Sequence, residues 1–517
     1  MAGSEKVKRD ISSLRSTIKW LLSEGDIVET DKEVNPDLEI TALQKKLDGG
    51  LGLLFRNVKG YKHIQAITNM YANRDIINKI FGWKGEKDRT LRLRECINKP
   101  IPPVKVTKAP VQEVVITDDL DVNKYVLAIR HTPLETEMTI GSGQTVVVGP
   151  YFDGGTHISY NRMNFRWGNI GTFQISPGSH MWQIMTAHYQ DKVPLTMNFG
   201  IPPAAQLAAG SGFDYVVLPK GCDELGMAGA MQGFPLNIVK CKTIDAYALA
   251  DAELVLEGYL HPRDKRFETA ESEKAGVQGK YFFHPEWAGY MGKAYKAPTF
   301  HVTAITMRDP KKEKITIWPM GVHTADAQNN DQLVREAAIY ELCERLQPGI
   351  IQDVHLPYCM TEWGGCVIQV KKRNAIEEGW QRNFLSAILS CSQGMRLAIA
   401  VDTDIDMYSM DDIMWALTTR VNPRTDILNP LPGGRGQTFM PSERMTAGDK
   451  AWTGANTRFE GGMGIDATVP FGFEQDFHRP AYAVDKVNPV DWFGKKGTEH
   501  IQSYMHGWVE SLARTGR

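Results

Sequence analysis

Gly143-Gln144-Thr145-Val146-Val147-Val148-Gly149 and, past a Gly154-Gly155 turn, Thr156-His157-Ile158-Ser159-Tyr160-Asn161-Arg162 decide how the chain is read. The first stretch is a β-branched run closed by glycine at both ends. The second alternates, so that on an ideal strand His157, Ser159 and Asn161 share one face. Similar runs recur at 194–199, 236–240, 252–260 and 298–307. Short strands at this spacing, with few long helices between them, predict a barrel-like sheet that begins near residue 119. The lysine-rich turn 308–314, with Pro310, is a hairpin or domain edge.

On the N-terminal side, Ile11, Leu14, Ile18, Leu21 and Leu22 recur at helical spacing and Gly25 stops the run. Strands are expected at 28–34 and 51–58. Pro100, Pro102, Pro103 and Pro110 make 98–110 an extended connector. Beyond Pro319 the texture is α/β. A helix is predicted over 331–346, where Leu333, Val334, Ala337, Ala338, Leu342 and Leu346 share a face before Pro348-Gly349. A strand at 366–371, a helix at 380–390, a buried strand at 397–401 and an Asp411-capped helix at 413–418 follow. After Pro423 the chain reads as turns to Pro470, and an amphipathic helix is expected at 497–513. The expected division is an N-terminal α/β domain (1–118), a barrel domain (119–320) and a C-terminal α/β domain (321–517), an α+β multidomain chain.

A chain of 517 residues exceeds one hydrophobic core. Its 59 basic and 61 acidic residues leave a net charge of -2, without the basic excess of a nucleic-acid or polybasic membrane binder. A small-molecule partner is expected. No run of about 18 apolar residues is present, and the charged start from Met1 to Asp10 is unlike a signal peptide. Seven scattered cysteines without a CxxC pair suit neither a disulfide framework nor a zinc ribbon, so the cytoplasm is the expected compartment.

Several familiar signals fail. Gly141, Gly143 and Gly149 lack dinucleotide spacing and precede a strand. Asp402, Asp404 and Asp406 imitate an EF-hand loop, but Met407 and Ile413 stand where Gly and Glu are required. His157, His180 and Glu224 are too widely spaced for a local metal signature. Each alone reads as an ordinary polar residue, and Arg162 and Glu286 as members of surface ion pairs.

The combination of segments reads differently. Phe55-Arg56-Asn57-Val58-Lys59-Gly60-Tyr61, the surroundings of Arg162, Asp223-Glu224-Leu225-Gly226, Pro285-Glu286-Trp287-Ala288-Gly289-Tyr290 and His323-Thr324 follow one another in order. Asp402-Thr403-Asp404-Ile405-Asp406 and Pro432-Gly433-Gly434-Arg435-Gly436 complete the series. In these segments, over most of its length, the chain resembles the UbiD-type decarboxylases, and among them those acting on protocatechuate and other hydroxybenzoates. The resemblance implies a central flavin-reductase-like split β-barrel that binds prenylated FMN, with a divalent metal, usually manganese, and potassium near its phosphate. It implies a homo-oligomer (dimer or hexamer) and a flavin prenyltransferase as cofactor supplier. His180 and Glu224 match the family's metal-binding His and Glu, and His157 occupies the position of its Asn, a ligand that shifts preference toward softer ions. Arg162 and Glu286 match two members of the family's Glu–Arg–Glu trio. Tyr281 stands where many members have the first Glu, and His323 is the counterpart of a substrate-side His. Ser159 and Asn161 are expected at the flavin or its phosphate.

Removing CO₂ from an aromatic carbon requires an electron sink that no side chain provides. Arg162 offers a planar fork for the leaving carboxylate. Glu286 is the candidate proton donor, because Phe282, Phe283 and Trp287 flank it in sequence and a desolvated carboxyl holds its proton more tightly. His323 would bond a ring hydroxyl, with His284 in reserve. Three other readings stay open: an aryl-CoA (phthaloyl-CoA-like) decarboxylase or carboxylase subunit acting on an aryl thioester, a non-catalytic flavin-binding subunit, and a metal-dependent hydrolase built on His157, His180 and Glu224.

Overall fold

The computed structural model describes residues 7–505 except 149–154, 177, 189–190, 212–216, 220, 393, 429–461 and 481. Gly149, Gly154, the Pro432–Gly436 motif and the predicted helix beyond 505 lie outside the described residues.

The first helix, Leu14–Glu24, starts where Ser13 and Ser16 cap each other's backbone and ends at Gly25, whose φ of 83° only glycine adopts cheaply. Its apolar side packs toward a four-stranded sheet ordered Ile27–Thr30, Gly52–Phe55, Ile64–Thr68 and Ile315–Ile317. The last strand arrives from the far end of the central region and pairs parallel to Ile64–Thr68, fastening the two parts together. The proline-rich connector is extended as expected, and its Val104–Val106 pairs with Asn237–Lys240.

The central sheet follows the path Thr156–Tyr160, Gln144–Val148, Val193–Phe199, Leu254–Phe267, Lys296–Met307, Ile170–Phe173, Met163–Trp167. Every neighbouring pair is antiparallel. The two longest strands shift register at Glu257/Gly258 and His261/Lys265, and such bulges bend a sheet. Among the described residues the sheet does not close into a barrel. Its two terminal strands are nevertheless consecutive in the chain, separated only by Asn161 and Arg162. The sheet therefore has a seam, and those two residues cross it.

The C-terminal region is α/β. Its sheet runs Ile351–His355, Gly365–Val370, Leu397–Asp402, Met463–Ala467, Ile427–Leu428, with a parallel centre. The helix Ala325–Leu346 begins six residues before the predicted start, capped by Thr324. Its first turns are polar and buried because they bind other elements: Asp326 accepts from Trp318 Nε1 at 2.9 Å and from the Asn69 N–H at 3.0 Å. Met463–Ala467 lies where turns were predicted. Ser409, not Asp411, caps Met410–Arg420. Asp402 and Asp404 accept from the Arg420 guanidinium at 3.0 Å, a structural clamp. The final helix is Pro489–Gln502, broken at Gly494. Among the described residues no helix is long and apolar enough to cross a membrane.

Candidate functional site

Glu224 opens the helix Glu224–Gln232 and His180 opens His180–Ala187. Gly155 lets the strand carrying His157 approach them, for a Cβ there would stand 2.3 Å from the Gly221 carbonyl oxygen. Thr156 then bridges to Asp223. The three residues predicted from distant segments meet: His180 Nδ1 lies 2.9 Å from Glu224 Oε1 and His157 Nδ1 lies 3.1 Å from Oε2. The Ile158 N–H adds a bond of 2.7 Å. Burial alone would push the Glu224 carboxyl up; the two imidazoles override it and hold it down at about 2. All three are buried, with ligand atoms within 4.8 Å of one another. Two imidazoles and a carboxylate can hold a divalent ion, with the preference shifted from hard Mn²⁺ toward softer ions.

The alternation of 157, 159 and 161 becomes a hydrogen-bonded row. His157 Nε2 is 2.9 Å from Ser159 Oγ, which donates to Asn161 Oδ1 at 3.0 Å. Asn161 Nδ2 donates to the Gln174 carbonyl at 2.8 Å, leaving one amide proton for a ligand. Beside this row opens a pocket of about 1060 Å³, mouth included, lined by Arg162, Gln174, His284, Glu286, Trp287 and Trp363 among others. Its concave lining of aromatic, polar and charged side chains is that of a cofactor or ligand site. Gln174 Nε2 is buried there without a protein partner, a donor a flavin carbonyl would satisfy.

Arg162 crosses the seam between two buried carboxylates. Its Nε and Nη2 reach Glu268 at 3.0 Å each, and Nη1 donates to Glu286 Oε1 at 2.7 Å. Burial would lower the guanidinium's pKa, but the two carboxylates raise it further. Its Cζ lies 5.3 Å from the centre of the Phe283 ring, a cation–π contact. Phe282 faces outward beneath Lys293, so it does not desolvate Glu286. Trp287 stacks on Trp363 with ring centres 5.5 Å apart.

A second carboxylate on Arg162 therefore exists, and it is Glu268. Tyr281 stands apart, its carbonyl taken by the Ala294 N–H and its ring under Lys280. No local spacing pointed to Glu268, which follows the end of a 14-residue strand. His323 adopts φ 58° and packs over Gly289, where a Cβ would meet its ring at 3.0 Å. Val322, its neighbour, lines the pocket, whereas His323 stands behind it. Burial lowers the pKa of His323, and Lys45 adds to this. Asp331 and Glu362 were not anticipated either. Burial pushes Asp331 up to about 7, against Arg335 and a 2.9 Å bond from Trp363 Nε1, and pushes Glu362 up as well.

The fold is that of a family of carboxy-lyases. The chain belongs to the UbiD family: it matches the 3-octaprenyl-4-hydroxybenzoate carboxy-lyase N-terminal, Rift-related and C-terminal domains over residues 18–97, 103–319 and 331–467. It is 30% identical to a gallate decarboxylase of Lactiplantibacillus plantarum over 90% of this chain and 94% of that one. Among solved structures it resembles the UbiD-class enzyme HmfF of Pelotomaculum thermopropionicum in complex with FMN, at 25% identity and a TM-score of 0.78, covering 93% of this chain and 100% of that one. The apo 3,4-dihydroxybenzoic acid decarboxylase of Enterobacter cloacae is similar at 26% identity and a TM-score of 0.78, covering 93% and 98%.

Proposed function

We propose that the protein catalyses the reversible, non-oxidative decarboxylation of a hydroxybenzoate-like aromatic acid, using prenylated FMN. The reading is carried by Arg162, locked between Glu268 and Glu286 on the wall of an aromatic pocket beside a His157–His180–Glu224 set. The working parts would be 1–118, a split barrel over 119–320 and an α/β part over 321–517. His157, His180 and Glu224 would hold Mn²⁺, with K⁺ beside the phosphate, and Ser159 and Asn161 would contact the flavin. When bound, the prenylated flavin supplies the electron sink that aromatic C–C cleavage requires.

The protein's own residues do the rest. One proton of Arg162 Nη1 goes to Glu286, and the other serves the substrate carboxylate. Glu286, bonded to Arg162 and lining the pocket, would deliver a proton to the ring carbon that lost CO₂. Trp287, Trp363 and Phe283 exclude water from the exchange. His323, which stands behind Val322 and outside the pocket lining, is assigned no direct contact with the ring. Exposed Val490, Trp492, Phe493, Ile501 and Tyr504 on and after the final helix support a homo-oligomer, since exposed apolar surface of this kind marks an interface.

The test is native mass spectrometry with an absorbance spectrum, on protein co-produced with a flavin prenyltransferase, followed by CO₂ release from aromatic acids and from their CoA thioesters. A bound mass of prenylated FMN and turnover of free acids are expected. Folded, metal-loaded protein that never takes up flavin would refute the mechanism.

A further inference from the structure

Two residues before Glu286, His284 faces the same pocket, and what stands behind it is a built arrangement. Its Nδ1 lies 3.4 Å from Glu135 Oε1 and 3.3 Å from Thr139 Oγ1. Glu135 is 1% exposed and fully engaged. It accepts from the His131 and Thr132 backbone N–H groups, the latter at 3.1 Å, and lies 3.0 Å from His131 Nδ1. The His131 ring meets the His284 ring edge-on, centres 4.9 Å apart at 89°, which fixes the plane of His284. We propose that His284 binds a ring hydroxyl of the substrate through Nε2, with Glu135 as the residue that positions it. The proposal rests on the decarboxylase reading above and names the substituent that the site selects.

The chemistry follows from the proton inventory. Burial would push the Glu135 carboxyl up, but His131 and His284 hold it down at about 2, so it is a carboxylate. Burial pushes His284 down to about 4, against the pull of Glu135, so its ring is neutral. A neutral imidazole whose Nδ1 proton faces a carboxylate keeps its lone pair on Nε2. That nitrogen can only accept, and a phenol O–H is the complementary donor. A hydrogen bond there places electron density on the oxygen and hence on the ring, which favours attack by the ring carbon. A methoxy group at the same position donates nothing and leaves a buried acceptor unpaired.

His131, Glu135 and His284 also have the atoms of a metal site, within 4.8 Å of one another. The backbone N–H groups on Glu135 both go to Oε2, which leaves Oε1 facing the two imidazoles, so the metal content of the variants separates an ion from a hydrogen-bonded trio.

The test uses the holoenzyme and matched hydroxy- and methoxybenzoates substituted at ring positions 3, 4 and 5, with kcat/KM from CO₂ release and affinity from calorimetry. The native protein should prefer hydroxyl over methoxyl at one position by roughly 10- to 100-fold. H284A and E135Q should each reduce that ratio to within about threefold, whatever happens to the absolute rate, and H284Q, whose amide oxygen can still accept, should restore part of it. Melting curves identify variants that fold. A folded H284A with the native ratio overturns the proposal, and a folded E135Q with the native ratio overturns the positioning by Glu135. Loss of bound manganese from H284Q would also overturn it, by making the trio a metal site. If no acid is decarboxylated by any preparation, the decarboxylase reading fails, while the calorimetric ratio still decides the role of His284.

Discussion

Replacing Gly292 by alanine would move Glu286 while every side chain of the site keeps its identity. Gly292 lies on the short strand Met291–Lys293 opposite Glu286. A Cβ built there would stand 2.2 Å from Glu286 Oε1, 2.7 Å from Cγ and 2.8 Å from Cδ. Ordinary contact begins near 3.4 Å, so Oε1 must retreat by about 1.2 Å. The 2.7 Å bond from Arg162 Nη1 cannot survive that shift. A displacement of about 1 Å at a reacting group costs on the order of 100-fold in rate, and overpacking costs about 1–3 kcal/mol of stability. The assay is CO₂ release by the holoenzyme at saturating acid, with kcat separated from KM and a melting curve alongside. The expected result is kcat lowered about 100-fold, with a small change in KM and a folded protein. Native kcat in a variant whose crystal structure shows the carboxylate displaced would refute Glu286 as the proton donor.

Glu268→Gln leaves Arg162 with one charged partner; the lost charged hydrogen bond, about 2 kcal/mol, predicts roughly a 30-fold fall in kcat/KM, and a native value would remove Glu268 from the site. Glu224→Gln removes the charge of a direct ligand and should cut manganese affinity by at least the roughly 10- to 100-fold that loss of an outer partner costs, read by titration and elemental analysis; undiminished binding would show that the ion is held elsewhere. Asp331, ordinarily at 3.8 and here raised to about 7 by burial, stays protonated in the fold while the unfolded chain ionises. The unfolded state then binds fewer protons, so stability falls as pH rises between those values, by on the order of 4 kcal/mol in total. Asp331→Asn should flatten that slope in melting curves taken from pH 4 to 8, and parallel curves for the two proteins would disprove it.

Period-two alternation placed His157, Ser159 and Asn161 on one face, and the structure joins them in a row because they share that face. Gly25 was legible as a helix stop for an equally local reason. Distant meetings carry no such mark. Glu268 reaches Arg162 across 106 residues, and Glu135 reaches His284 across 149. The resemblance brought His180 and Glu224 together where spacing could not. Elsewhere, buried polarity disguised the elements. Asp326 and Asn329 sit in the opening turns of a helix but bond to other segments, so no apolar stripe announces them. Gly464 and Asp466 made a central strand look like a turn, although Asp466 is buried and paired with Arg382.

The seam in the central sheet has a further consequence for how this protein can vary. The link between its two terminal strands is two residues long, and both line the pocket. Loops ordinarily absorb insertions because nothing depends on their length. Here one added residue would exchange the faces of all side chains along one of the strands, turning either the His157 row or the pairing of Met163–Trp167 inside out. Substrate preference can drift through the walls of the chamber, at positions such as Val322 or Met320, but the crossing itself is barred from lengthening. Its length shapes the pocket as firmly as the guanidinium it carries.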